Sequence, residues 1–196
     1  MEIAIIKYNA GNIRSVAFAL DRLQVNYEIT NDPEKIMGAD RVIFPGVGEA
    51  NTTMEHLIQQ KLDQVIVSLK QPVLGICLGM QLMCQYSEEN STTCLGIFDE
   101  KVKHFKAKPG LKVPHMGWNA LSLTNGWLDP KLEGQFVYFV HSYYVPLNPY
   151  TSAKTTYDIE FSSALRKNNF FAVQFHPEKS ADVGNTVLQN FLNVQL

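Results

Sequence analysis

Little in this sequence points toward a membrane, a nucleic acid or the secretory route. No apolar run in its 196 residues approaches the roughly 18 residues needed to span a bilayer. Neither sign of charge dominates. Lys and Arg number 17 against 19 Asp and Glu, and the formal net charge of -2 gives no general attraction to nucleic acid or anionic lipid. The opening stretch MEIAIIKYNA has no basic leader before its short apolar run and no small-residue cleavage site, so no signal peptide is expected. Cysteine is scarce, with only Cys77, Cys84 and Cys94. An odd count without metal-ligand spacing argues against a disulfide framework and a thiolate metal site, and suits reduced thiols in the cytoplasm. No metal and no cofactor is implied. Repeats, linkers and low-complexity segments are also lacking.

What is present is a globular composition, 45% hydrophobic, of a length suited to one domain spanning residues 1–196. The first half alternates buried strands with amphipathic helices. Ile3–Lys7, Tyr27–Thr30, Arg41–Phe44 and Val73–Ile76 read as strands. Ile13, Val16, Ala17, Leu20 and Leu23 share one helical face, Asp32-Pro33 starts a second helix, and the apolar residues from Met54 to Leu69 supply one or two more. Such alternation predicts an α/β fold: an open, mainly parallel sheet flanked by helices. The second half adds short strand candidates at Lys101–Phe105, Asn119–Thr124, Phe136–His141, Thr155–Phe161, Ala164–Arg166 and Phe170–Gln174. Asn168-Asn169 suggests a hairpin turn, and Ser180 is the expected N-cap of a last helix. The sheet is therefore expected to gain antiparallel strands.

The sharpest local feature is Gly75-Ile76-Cys77-Leu78-Gly79-Met80-Gln81, where a buried strand runs into Cys77 and a helical pattern follows at once. Glycines two residues to either side suit a strand-to-helix elbow that pushes a nucleophile out at the carboxyl edge of the sheet. The helix N-terminus favours the thiolate. Alone, Cys77 is equally readable as a small core residue. Cys84, on the same helix, reads as packing, and Cys94 as a loop or strand residue. A base is offered by Val173-Gln174-Phe175-His176-Pro177-Glu178. The apolar strand delivers His176 to the sheet edge, Pro177 ends the ladder, and Glu178 can hold one ring nitrogen while the other faces the thiol. Pro45-Gly46-Val47-Gly48 follows a strand and can bring backbone N–H groups, with that of Leu78, to an oxyanion. It is not a phosphate loop, since no Gly-Lys-Ser/Thr follows.

Taken together, GICLGMQ and FHPE resemble the class I, triad-type glutamine amidotransferases, whose fold is flavodoxin-like. PGVG at 45–48, PHMGWN at 114–119, YFVHSYY at 138–144 and FHPEKS at 175–180 narrow the resemblance to the glutaminase subunits of imidazole glycerol phosphate synthase, over essentially the whole chain. One departure is Ala181, where many members have Gly; it is expected to affect the entry to the last helix rather than catalysis. The resemblance implies that Cys77 attacks the side-chain amide of L-glutamine and that His176 and Glu178 complete a triad. It implies an oxyanion site around Gly46, Val47, Gly48 and Leu78, and substrate positioning by Gln81, Ser142 and Tyr143. It further implies a (β/α)₈ cyclase subunit as partner in a heterodimer, taking the ammonia to convert PRFAR to imidazole glycerol phosphate and AICAR in histidine synthesis.

Two residues then acquire a second reading. Trp118, in a Gly-bounded polar loop, is either core or an interface anchor. Asn12 is most simply a helix N-cap, but its loop after Asn9-Ala10-Gly11 faces the same sheet edge as Cys77. Both are assigned to the partner interface. His141 is expected to be a satisfied strand histidine near the glutamine pocket. Trp127 reads as a local plug, and Tyr138, His115, His104 and His56 as structural or surface residues.

Overall fold

Every residue of strand β1 (Ile3–Ile6) is buried, because helices cover both faces of the sheet it belongs to. The computed structural model describes residues 1–8, 12–124 and 126–196; Asn9-Ala10-Gly11, expected from the sequence to face the sheet edge, lies outside the described residues. The chain continues through α1 (Ile13–Arg22), β2 (Tyr27–Thr30), α2 (Pro33–Gly38), β3 (Arg41–Phe44), α3 (Ala50–Gln59), α4 (Leu62–Ser68), β4 (Val73–Ile76) and α5 (Leu78–Leu82). Short strands β5 (Tyr86–Ser87), β6 (Thr92–Thr93), β7 (Lys101–His104), β8 (His115–Ala120) and β9 (Ser122–Leu123) follow. Then come β10 (Phe136–His141), β11 (Tyr143–Tyr144), β12 (Thr151–Tyr157), β13 (Ile159–Lys167), β14 (Phe170–Val173) and the closing helix α6 (Ala181–Asn193).

The main sheet has the order β2-β1-β3-β4-β14-β13-β12-β9. Its strands are parallel from β2 to β14 and antiparallel from β14 to β9. The period of two splits each parallel strand between two cores. Ile3, Ile5, Ile43 and Leu74 pack beneath α1 and α6, through Val16, Leu20, Leu188 and Phe191. Ala4, Ile6, Val42 and Val73 pack on the opposite side against α2 to α5, through Ile36, Leu57, Ile66 and Met80. The mainly parallel, helix-flanked sheet with antiparallel additions is the architecture expected. Among the described residues no helix is long and apolar enough to cross a membrane.

Several local expectations fail for identifiable reasons. Thr155–Phe161 is not one strand: Asp158 takes a left-handed conformation (φ 67°) and turns the chain, so that Tyr157 pairs with Ile159. The break expected before Ala164 is absent, since Ser162 and Ser163 are fully buried within β13. PHMGWN is not a loop. His115–Ala120 pairs antiparallel with Phe136–His141 in a two-stranded ribbon, and the predicted strand at 119–124 is divided between β8 and β9. The hairpin at Asn168-Asn169 forms, with Lys167 opposite Phe170 and Asn168 at φ 54°.

Candidate active site

Strands β4 and β14 are parallel neighbours, with Ile76 paired to Val173, so their carboxyl ends emerge side by side. Cys77 leaves β4 in a strained conformation, φ 53° and ψ -107°, and α5 begins at the next residue. Such an L-residue conformation persists only where packing over-determines it. Here the packing is that of backbone on backbone. A Cβ at Gly79 would lie 2.1 Å from the Phe44 carbonyl oxygen, and one at Gly46 would lie 2.3 Å from the Gly79 nitrogen. Glycine at both places lets the β3 loop and the elbow interlock. The Leu78 N–H lies 3.4 Å from the Gly46 carbonyl oxygen, so a donor assigned to the oxyanion is turned onto the neighbouring β3 loop. The Tyr8 hydroxyl donates to the Pro45 carbonyl and tethers the same loop from its other side.

His176 follows β14 by three residues, and Pro177–Lys179 form a tight 3₁₀ turn as the proline requires. The turn brings Glu178 back to the imidazole, with Nδ1 2.7 Å from Oε1. Both side chains are buried. Burial by itself lowers the imidazole pKa. The charge of Cys77 and the Glu178 carboxylate outweigh it and carry His176 up to about 10. Its Nε2 is buried and has no hydrogen-bond partner among the described residues, which leaves it free for the thiol.

The supports around this pair differ from expectation. Asn12 makes no side-chain cap on α1; its amide donates to Glu178 Oε1 instead. The residue assigned above to the partner interface thus also supports the carboxylate behind His176. Ser180 occupies the N-cap position of α6 without capping it, because its hydroxyl is used elsewhere: it donates to the His176 carbonyl (2.7 Å) and accepts from the Tyr138 N–H (2.9 Å). Ala181 adopts φ 48°, which is why glycine suits that position.

A cavity of about 350 Å³ opens over the elbow, lined by Val47, Gly48, Cys77, Leu78, Gln81, Ser142, Tyr143 and His176, with Glu89, Pro114, Val140 and His141. Gly46 lies behind this lining rather than in it. Gln81 donates its amide to the Tyr143 carbonyl and to Gln174 Oε1, each at 3.0 Å. Glu89, missed at the level of sequence, is the one carboxylate among the described lining residues; burial raises its pKa, opposed by the Ala50 N–H it accepts at 2.7 Å. Trp118 stands apart. It is 53% exposed, which excludes the core reading, and lies on the same outer face of the β8–β10 ribbon as Met116, Tyr138 and Phe136. Trp127 is buried against Phe171, as a plug should be.

This sheet edge, elbow and paired histidine belong to a known class of protein. The model for glutamine amidotransferase class-I matches residues 4–194, and the chain belongs to that family. The chain is 57% identical over 196 residues to imidazole glycerol phosphate synthase subunit HisH of Bacteroides fragilis (strain YCH46), covering 99% of this chain and 100% of that protein. It is 44% identical to the HisH subunit of Buchnera aphidicola subsp. Schizaphis graminum, again over 99% of this chain and 100% of the other. Within the class, it therefore belongs with the HisH subunits. In fold it is similar to PurLQS from Thermotoga maritima, with a TM-score of 0.75 at 15% identity over 98% of this chain and 97% of that one.

Proposed function

We propose that this chain is the glutaminase of imidazole glycerol phosphate synthase, hydrolysing L-glutamine at Cys77 and passing the ammonia to a synthase partner for histidine biosynthesis. The observation that carries the site assignment is the strained Cys77 beside the buried, carboxylate-held His176 in one cavity. His176 Nε2 takes the thiol proton, and the sulfur adds to the amide carbon of glutamine. The tetrahedral oxyanion is received by backbone N–H groups of the Val47 loop and Leu78. That loop must first release the Leu78 N–H from Gly46, so partner or substrate binding has a defined contact to break. His176 then protonates the departing ammonia, and its neutral form activates water to cleave the thioester. Glu89 suits the α-ammonium group of the substrate.

Free ammonia is lost by protonation in water, which favours direct transfer to a second active site. The proposed recipient is a (β/α)₈ cyclase in a heterodimer, docked on the apolar outer face around Trp118. The free thiols of Cys77, Cys84 and Cys94 suit the reducing cytoplasm. The decisive experiment mixes the purified chain with such a cyclase and its phosphoribulosyl ligand and measures glutamate release. A several-fold rise that is abolished by Cys77→Ala, with the complex still forming, is expected. Equal turnover by Cys77→Ala refutes the assignment.

A further inference from the structure

We propose that Gln174 is a further catalytic residue, its Nε2–H donating to the Cys77 sulfur, and that the Tyr143 carbonyl, held in place by the buried His115–His141 pair, orients it through Gln81. The proposal rests on the reading of Cys77 as nucleophile. Gln174 is fully buried and its Nε2 lies 3.7 Å from Cys77 Sγ. The direction of that contact follows from a chain of hydrogen bonds anchored on one backbone carbonyl, that of Tyr143. A carbonyl only accepts. His141 Nδ1, 2.7 Å from it, must therefore carry a proton, and the atom of Gln81 that lies 3.0 Å from it must be the amide nitrogen. That nitrogen is also 3.0 Å from the Gln174 side chain, so the atom it meets there is the oxygen. Gln174 is left with its NH₂ toward the sulfur.

The same logic runs outward from His141. With its proton on Nδ1, Nε2 is an acceptor, and His115 Nδ1 at 3.0 Å is the donor. His115 Nε2 then accepts from the Asn119 amide at 3.4 Å, which also bonds the Thr156 carbonyl. Both rings are neutral, burial lowering His115 to about 4 and His141 to about 3. Neutrality keeps one donor and one acceptor on each ring, so the chain has a single polarity from Asn119 to Tyr143. In the resting thiol, Sγ–H points to the Val140 carbonyl, 3.8 Å away. When the proton moves to His176 Nε2, the sulfur becomes an acceptor that Gln174 is already oriented to meet.

The titratable groups around this sulfur are His176, with Glu178 bonded behind it, Tyr8 after β1, and His141 and Glu89 in the lining of the same cavity. The test holds them fixed and changes the donor. Iodoacetamide alkylation of the Cys77 peptide, followed by mass spectrometry across pH in the full chain, reads its thiolate fraction. Gln174→Met is expected to move the midpoint up by about one unit and slow alkylation about tenfold at any pH below both midpoints. His141→Leu should shift it in the same direction, and His141→Asn, whose amide can replace the Nδ1 donor, should restore it. A merely structural role would not produce that rescue. Gln174→Glu, which places negative charge at the sulfur, carries the test if the Met variant fails to fold. Profiles matching wild type in the folded Gln174 variants overturn the proposal. Glutamine hydrolysis persisting in the Cys77→Ala complex would instead sink the nucleophile reading on which it stands.

Discussion

Asn12 and Glu178 are joined side chain to side chain across 166 residues of sequence, the amide donating to Oε1, the oxygen that also accepts from His176. Glu178 Oε2 has no partner among the described residues, so the carboxylate is aimed entirely through one atom. Removing Asn12 leaves the carboxylate buried with one bond fewer. A hydrogen bond to a charged group contributes about 1.5–3 kcal/mol. Asn12→Ala should therefore lower kcat of the complex roughly ten- to hundredfold, with KM for glutamine little changed. Steady-state kinetics with saturating partner decides it; an unchanged kcat would show that His176 needs no such support.

The pH dependence of stability has a definite sign. His176 has its folded pKa raised from 6.5 to about 10. Its contribution is therefore complete below the unfolded value and is lost as pH rises through the folded one. Urea unfolding of wild type and His176→Gln should differ most below about pH 6.5 and converge above about pH 10. Part of the shift comes from the Cys77 charge, so Cys77→Ala should narrow the gap over the same window.

The interlocked glycines make a steric prediction. Gly79→Ala would place a methyl group 2.1 Å from the Phe44 carbonyl oxygen, backbone that cannot swing aside. The expected cost is about 3 kcal/mol or more, seen as a large drop in the denaturation midpoint. Ala181→Gly should act oppositely. At φ 48°, relief of the left-handed strain is expected to stabilise by about 1 kcal/mol without changing glutaminase turnover.

Two substitutions separate binding from chemistry. Glu89→Gln should raise KM for glutamine about tenfold or more while kcat falls less, because it removes charge from the cavity wall and not from the triad. Trp118→Ala should weaken association with the cyclase by about 2 kcal/mol, measured by titration calorimetry, with no loss of thermal stability. A large stability loss would mean that the exposed indole supports the fold instead.

Much of the fold could be read from the sequence because its signals are local. The apolar runs of β1, β3 and β4 are continuous, as strands buried on both faces must be, and Asp32-Pro33 does start α2 with a side-chain cap. The elbow and the His176-Pro177-Glu178 turn were legible for the same reason. What escaped depends on partners distant in the chain. Asn12 looks like a cap until the fold brings Glu178 to it. Gln81 and Gln174 are 93 residues apart, and nothing near either states that they touch. Gln174 did carry one signal, a long polar side chain inside the apolar run FFAVQF, where only a committed hydrogen-bond partner makes burial tolerable. The second-half strands were the least legible, because serine-rich β13 lacks alternation and the turn at Asp158 uses no glycine.

The adjacency of β4 and β14 also sets an order in time. Val73–Ile76 cannot acquire Phe170–Val173 as its neighbour until residues through Val173 have left the ribosome. Until then Cys77 has no His176 beside it, and the β4 edge that will hold β14 is open. On the proposed assignment, a chain that stops short of β14 is expected to leave glutamine untouched.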